Sequence, residues 1–153
     1  MSERIGNIME KDVYTVNEND TIAEVLKALV HKRTSGLPVV DDDQHVVGFI
    51  SDGDIMKFIA KQDPRIIDMT SFITVWYDVE SFDQKLEDLL KINVMELATT
   101  KVVSVNVDET IDEVARILGK KKIKKVPVED DGKLVGVISR SMIIRYIVGK
   151  HLS

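Results

Sequence analysis

Residues 16–42 read VNENDTIAEVLKALVHKRTSGLPVVDD, and residues 105–131 read VNVDETIDEVARILGKKKIKKVPVEDD. Set one over the other without a gap, the two stretches share 12 of 27 positions. After one residue is dropped from the turn that follows, VGFISDGDIMKFI (47–59) continues onto VGVISRSMIIRYI (135–147). Internal self-similarity of this length decides the architecture before any single motif does. The chain is two copies of one unit of about 50 residues, over roughly 5–60 and 91–150.

Each copy has the same readable anatomy. Ile22, Val25, Leu26, Leu29 and Val30 fall on one face of a helix, and Ile111, Val114, Ala115 and Leu118 repeat the pattern. Thr21 with Glu24, and Thr110 with Glu113, have the T-x-x-E spacing of a capping box. LPVV and VPVE follow, short apolar runs whose Pro38 and Pro127 belong at the start or edge of a strand. The acidic turns DDDQH and DDGK join these runs to VVGFIS and LVGVIS as hairpins. A second helix follows directly, about 52–60 and 140–149, and VYTV or KVVSV supplies a leading strand. The predicted order in each copy is strand, helix, strand, strand, helix.

This doubled pattern resembles the CBS domain, the family named after cystathionine beta-synthase. The pair resembles the tandem arrangement known as a Bateman module. The resemblance rests on V-x5-I-x-E-V, on L/V-P-V, and on G-x-I-S before a short helix, each present twice at matching spacing. It implies an α+β fold in which two CBS domains pack as a pseudo-twofold pair. The expected domains are 1–60 for the first copy, 61–90 for a partly helical insert, and 91–153 for the second copy. It also implies a regulatory role, in which an adenosine-containing ligand binds in the cleft between the copies. The homodimer is implied as well, the pairs of this family commonly assembling as flat dimers.

An adenosyl ligand needs an apolar slot for its base, an acceptor for its ribose hydroxyls, and positive charge or a helix N-terminus for any phosphate. By the resemblance, Ser51 and Asp54 hold the ribose at the start of the last helix of copy one. Thr15, Val16, Ile22 and Leu37 line the base slot. Lys124, Lys125, Arg140 and Ser141 meet phosphates. Ser51-x-x-Asp54 is equally a capping arrangement in its own right, with the carboxylate offsetting the positive end of the helix dipole. In copy two, Ser139 keeps the hydroxyl, but Met142 stands where copy one has Asp54. A thioether cannot accept two charge-assisted hydrogen bonds, so the second site is expected to be degraded or rebuilt. The lysine positions are asymmetric too, Ser35 and Gly36 being the counterparts of Lys124 and Lys125. The bland alternative for GKKKIKK (119–125) is a solvated helix end, where cations are favourable.

The insert is not low in complexity. Phe82, Leu86, Leu89 and Leu90 make an apolar stripe at helical spacing, and four of the eight aromatic residues, Phe72, Trp76, Tyr77 and Phe82, lie there. Packing onto the module is the simple reading, and a lid or partner surface is the functional one.

Composition excludes several other classes. A net charge of −5 argues against a protein whose main partner is nucleic acid, although the 119–125 lysines keep a local basic patch. With no cysteine there is neither a disulfide framework nor a thiolate metal site, which fits a cytoplasmic protein. The first residues lack the apolar core of a signal peptide, and no run reaches the ~18 apolar residues of a membrane span. His31, His45 and His151 show no metal-ligand spacing, and the acids Asp41 to Asp43 are ordinary for a hairpin turn, so no metal is expected. No glycine-rich phosphate loop or nucleophile elbow appears, and no enzymatic activity is expected. The sequence thus predicts a free-standing sensor of AMP, ADP, ATP, S-adenosylmethionine or a dinucleotide, acting through a separate effector protein. The rival reading is a ligand-independent interaction module with a vestigial site.

Overall fold

The computed structural model describes the backbone of residues 3–61 and 72–152 and the side chains of 3–60 and 82–152. Copy one runs β1 (Val16–Asn17), α1 (Ile22–His31), β2 (Gly36–Val40), β3 (Val46–Ser51) and α2 (Asp52–Lys61). A helix from the insert follows, α3 (Phe72–Lys91). Copy two repeats the order as β4 (Val105–Asn106), α4 (Ile111–Lys121), β5 (Lys125–Asp130), β6 (Lys133–Ser139) and α5 (Arg140–His151). The fold is α+β, with two three-stranded sheets ordered β1-β2-β3 and β4-β5-β6. In the second sheet β4 runs parallel to β5, and β5 pairs antiparallel with β6 across a bulge at Val128/Glu129. The leading strands are shorter than VYTV and KVVSV imply, two residues each.

The repeat persists in backbone detail. Arg33 and Lys122, equivalent residues just after α1 and α4, both take left-handed φ values, 52° and 55°. A single 3-10 turn precedes each copy, Ile5–Asn7 and Val94–Glu96. Each turn buries one aliphatic side chain completely, Ile5 and Val94.

Contacts divide the chain into two compact units that interleave the sequence. The first unit is Val16–Val39 with Gly48–Thr100; the second is Lys101–Ser153 with Met1–Thr15 and Val40–Val47. The 3-10 turn that leads copy one in sequence therefore belongs to the unit built on copy two. In that second unit Ile5 packs with Val105, Ile111, Val114, Leu118, Val126, Val128, Ile138 and Ile143. In the first unit Val16, Ile22, Val25, Leu29, Leu37, Val39, Ile50, Ile55, Leu89 and Val94 are buried. Each such aliphatic side chain contributes roughly 1.5–3 kcal/mol on burial. Leu89 comes from α3, which packs against α1, so part of the insert's apolar stripe is core; Phe82 and Leu90 stay about 40 % exposed. The side chains of Phe72, Trp76 and Tyr77 lie outside the described residues.

One local expectation is corrected. Neither Thr21 nor Thr110 accepts a side-chain capping bond. In the first turn of α1, Glu24 N donates to the backbone oxygen of Thr21 (3.0 Å), while the first helical donors reach distant segments: Ile22 N donates to Ile92 O (2.8 Å), and Ile111 N to Glu3 O (2.9 Å). The Ile92 and Glu3 carbonyls come from the segments carrying the 3-10 turns. The Thr21 hydroxyl instead donates to the Glu24 carboxylate (3.5 Å), and Glu113 pairs with Arg116 one turn on, which lowers the carboxyl's pKa from its ordinary value.

Candidate functional site

In the first unit the last strand turns into α2 at Ser51. Three contacts lock this corner reciprocally: Ser51 N donates to Asp54 Oδ2 (3.0 Å), Ser51 Oγ donates to the same oxygen (3.1 Å), and Asp54 N donates back to Ser51 Oγ (3.3 Å). This is the capping box that the T-x-x-E sequences do not form. It satisfies orphan donors of the first helical turn and places two carboxylates, Asp52 and Asp54, at the positive end of the helix. Asp54 is half-buried. Its Oδ2 is occupied, while Oδ1 accepts no hydrogen bond among the described residues. The neighbouring loop is drawn in by Asp52 N donating to Ser35 O (2.8 Å), and Thr34 closes that loop by donating to Gly36 O (3.1 Å).

The equivalent corner of the second unit has the same backbone and opposite chemistry. Arg140 N donates to Lys124 O (3.0 Å), matching the Asp52–Ser35 link. Ser139 Oγ accepts from Met142 N (3.3 Å), so the hydroxyl half of the cap is kept. Met142 is packed, half-buried, against the core of its unit. Where one corner presents Asp52, Asp54, Ser35 and Gly36, the other presents Arg140, Met142, Lys124 and Lys125.

The basic residues are not equivalent among themselves. The Arg140 guanidinium donates from Nε to Ile123 O (2.9 Å) and from Nη2 to Leu118 O (3.1 Å). It thereby caps carbonyls at the C-terminal end of α4, where a cation is favoured. Ser141 Oγ lies 3.0 Å from Ser139 Oγ and accepts from Arg145. Lys124 is exposed, whereas burial pushes the Lys125 ammonium below its ordinary pKa.

The four residues expected to line a base slot fare differently. Ile22, Leu37 and Val16 are 0 %, 1 % and 4 % exposed, so their side chains are core. Thr15 is half-buried and falls in the second unit. The capping role of Arg140 has no signal in the local sequence, because both its acceptors are carbonyls 17 and 22 residues away.

One further cluster joins carboxylates to an imidazole. Ligand atoms of Asp41, Asp43 and His45 lie within 4.8 Å of one another at the tip of the first hairpin. Asp41 Oδ1 accepts from the N–H groups of Asp43 and His45, both at 2.9 Å, and Oδ2 faces His45 Nδ1 at 3.3 Å. The His45 backbone donor is the chief reason the Asp41 carboxyl sits below the usual carboxylate range. No helix among the described residues is long and apolar enough to cross a membrane.

The doubled corner, with its strand-to-helix serine preserved in both copies, coincides with the family model for the CBS domain, which matches residues 5–61 and again 94–149. The chain belongs to the CBS domain family. It carries the domain in tandem, as the repeat requires. MJ1426 of Methanocaldococcus jannaschii is 31 % identical over 153 residues, with 94 % of this chain and 90 % of that protein covered. Further curated relatives are matched over 23 % to 62 % of their own length. Among solved structures, CBSX2 in complex with AMP is 26 % identical, superposes with a TM-score of 0.72, and covers 95 % of this chain and 96 % of its own. CBSX2 is a chloroplast protein of Arabidopsis thaliana. The CBS domain pair of MJ0100, in complex with 5′-methylthioadenosine and S-adenosyl-L-methionine, is 27 % identical with a TM-score of 0.70, covering 98 % of this chain and 99 % of its own.

Proposed function

We propose that this CBS pair is a regulatory module that senses an adenosyl ligand, such as AMP, ADP, ATP or S-adenosylmethionine, and passes the signal to a separate protein. The observation that carries the reading is the Ser51–Asp54 corner: a half-buried carboxylate, held in one orientation by its own cap, with Oδ1 still able to accept. A ribose offers two adjacent hydroxyl donors, and a fixed carboxylate is the acceptor they require. Two related CBS pairs were solved with AMP and with S-adenosylmethionine and methylthioadenosine, ligands that share this ribose. Arg140, whose guanidinium donates to Leu118 O and Ile123 O, serves mainly to hold α4 to α5. Met142 removes the acceptor from the second corner, so one ribose site per chain is expected. Ligand binding biases the populations of the module's conformations, and the effector reads that bias.

Calorimetric titration of nucleotide-free protein with AMP, ATP and S-adenosylmethionine tests this reading, with Asp54→Asn in parallel. The amide keeps one acceptor for the cap but lacks the charge, so affinity for the bound ligand should fall about 10-fold or more. Equal affinity in the variant, or no binding of any of the three by the parent protein, would overturn the ribose role.

A specific observation also favours assembly. α5 turns Ile144, Ile147 and Val148 outward, and Leu152 just past its end is exposed too, with Ile144 59 % and Leu152 75 % exposed. At i, i+3, i+4 and i+8 these form one apolar face, and a second copy of the chain is the occupant that makes the protein a homodimer. Sedimentation equilibrium should give a dimer for the parent protein and a monomer for Ile144→Glu/Val148→Glu. A monomeric parent at all concentrations would remove this reading and leave the ligand site untouched.

A further inference from the structure

We draw no further inference here: the strongest candidate, the Asp41–Asp43–His45 cluster at the tip of the first hairpin, consists of largely exposed turn groups hydrogen-bonded to one another and to the turn backbone, and no second observation in the structure points to an ion there.

Discussion

Gly136→Ala is the sharpest test of how the second unit is closed. Gly136 is buried in β6, and an added Cβ would lie 2.6 Å from Met9 Sδ and 2.8 Å from the backbone oxygen of Glu10. The sulfur ends a flexible side chain and can swing away. The carbonyl cannot, because Glu10 is tied to Val137 by two backbone bonds, N to O at 2.9 Å and O from N at 3.0 Å. Relief therefore requires the N-terminal segment to retreat by a few tenths of an ångström, loosening both bonds and the seat of Ile5. Overpacking of this kind costs about 1–3 kcal/mol, and weakening two backbone bonds brings the total to about 2–4 kcal/mol. The internal repeat provides the control. At Gly48, the counterpart in β3, the added Cβ would meet Thr99 O at 3.2 Å and Ala98 Cβ at 3.4 Å, a tight but tolerable fit. Gly48→Ala should accordingly cost about 0.5–1.5 kcal/mol. Urea denaturation followed by circular dichroism reads both, as shifts of midpoint at unchanged slope. Equal costs for the two variants, or a Gly136→Ala change within 0.5 kcal/mol of zero, would refute the claim that residues 9 and 10 press directly on β6.

Other expectations follow from single groups. Asp41 has a folded pKa below its ordinary value, so the stability it contributes is present above that ordinary value, 3.8, and is lost as pH falls through the lower folded one. Denaturation midpoints from pH 5 down to pH 2.5 should drop less steeply for Asp41→Asn than for the parent chain, and identical slopes would show that the carboxylate is not held by the turn. Arg140→Ala removes two charge-assisted bonds to carbonyls of α4 and its following loop, at a cost of about 1 kcal/mol for an exposed group. Thermal unfolding measures that cost; an unchanged transition combined with abolished nucleotide binding would mean that Arg140 serves the ligand instead. Asp54→Ala, unlike the asparagine variant, discards both bonds to Ser51 and should destabilise by about 1–2 kcal/mol whether or not a ligand is present.

Much of this protein is legible in one dimension. The repeat, the helix faces of Ile22–Val25–Leu29 and Ile111–Val114–Leu118, the hairpins and the asymmetry between Asp54 and Met142 all follow from residue order, because helical and strand periodicity and local turns involve neighbours in the chain. The Ser51–Asp54 and Ser139–Met142 caps are local for the same reason. Tertiary structure alone decided what depends on residues far apart. The first helical donors Ile22 N and Ile111 N find their acceptors in the carbonyls of Ile92 and Glu3, partners far along the chain that no local reading of the Thr21 and Thr110 caps names. Nothing local in the sequence shows that the Arg140 guanidinium donates to two distant carbonyls, those of Ile123 and Leu118. The sequence likewise places residues 1–15 with the copy they precede, whereas Ile5 completes the core of the copy that begins some ninety residues later. A backbone donor or a buried aliphatic side chain is satisfied by whichever partner the fold brings within reach, and sequence proximity names that partner only when the contact is local.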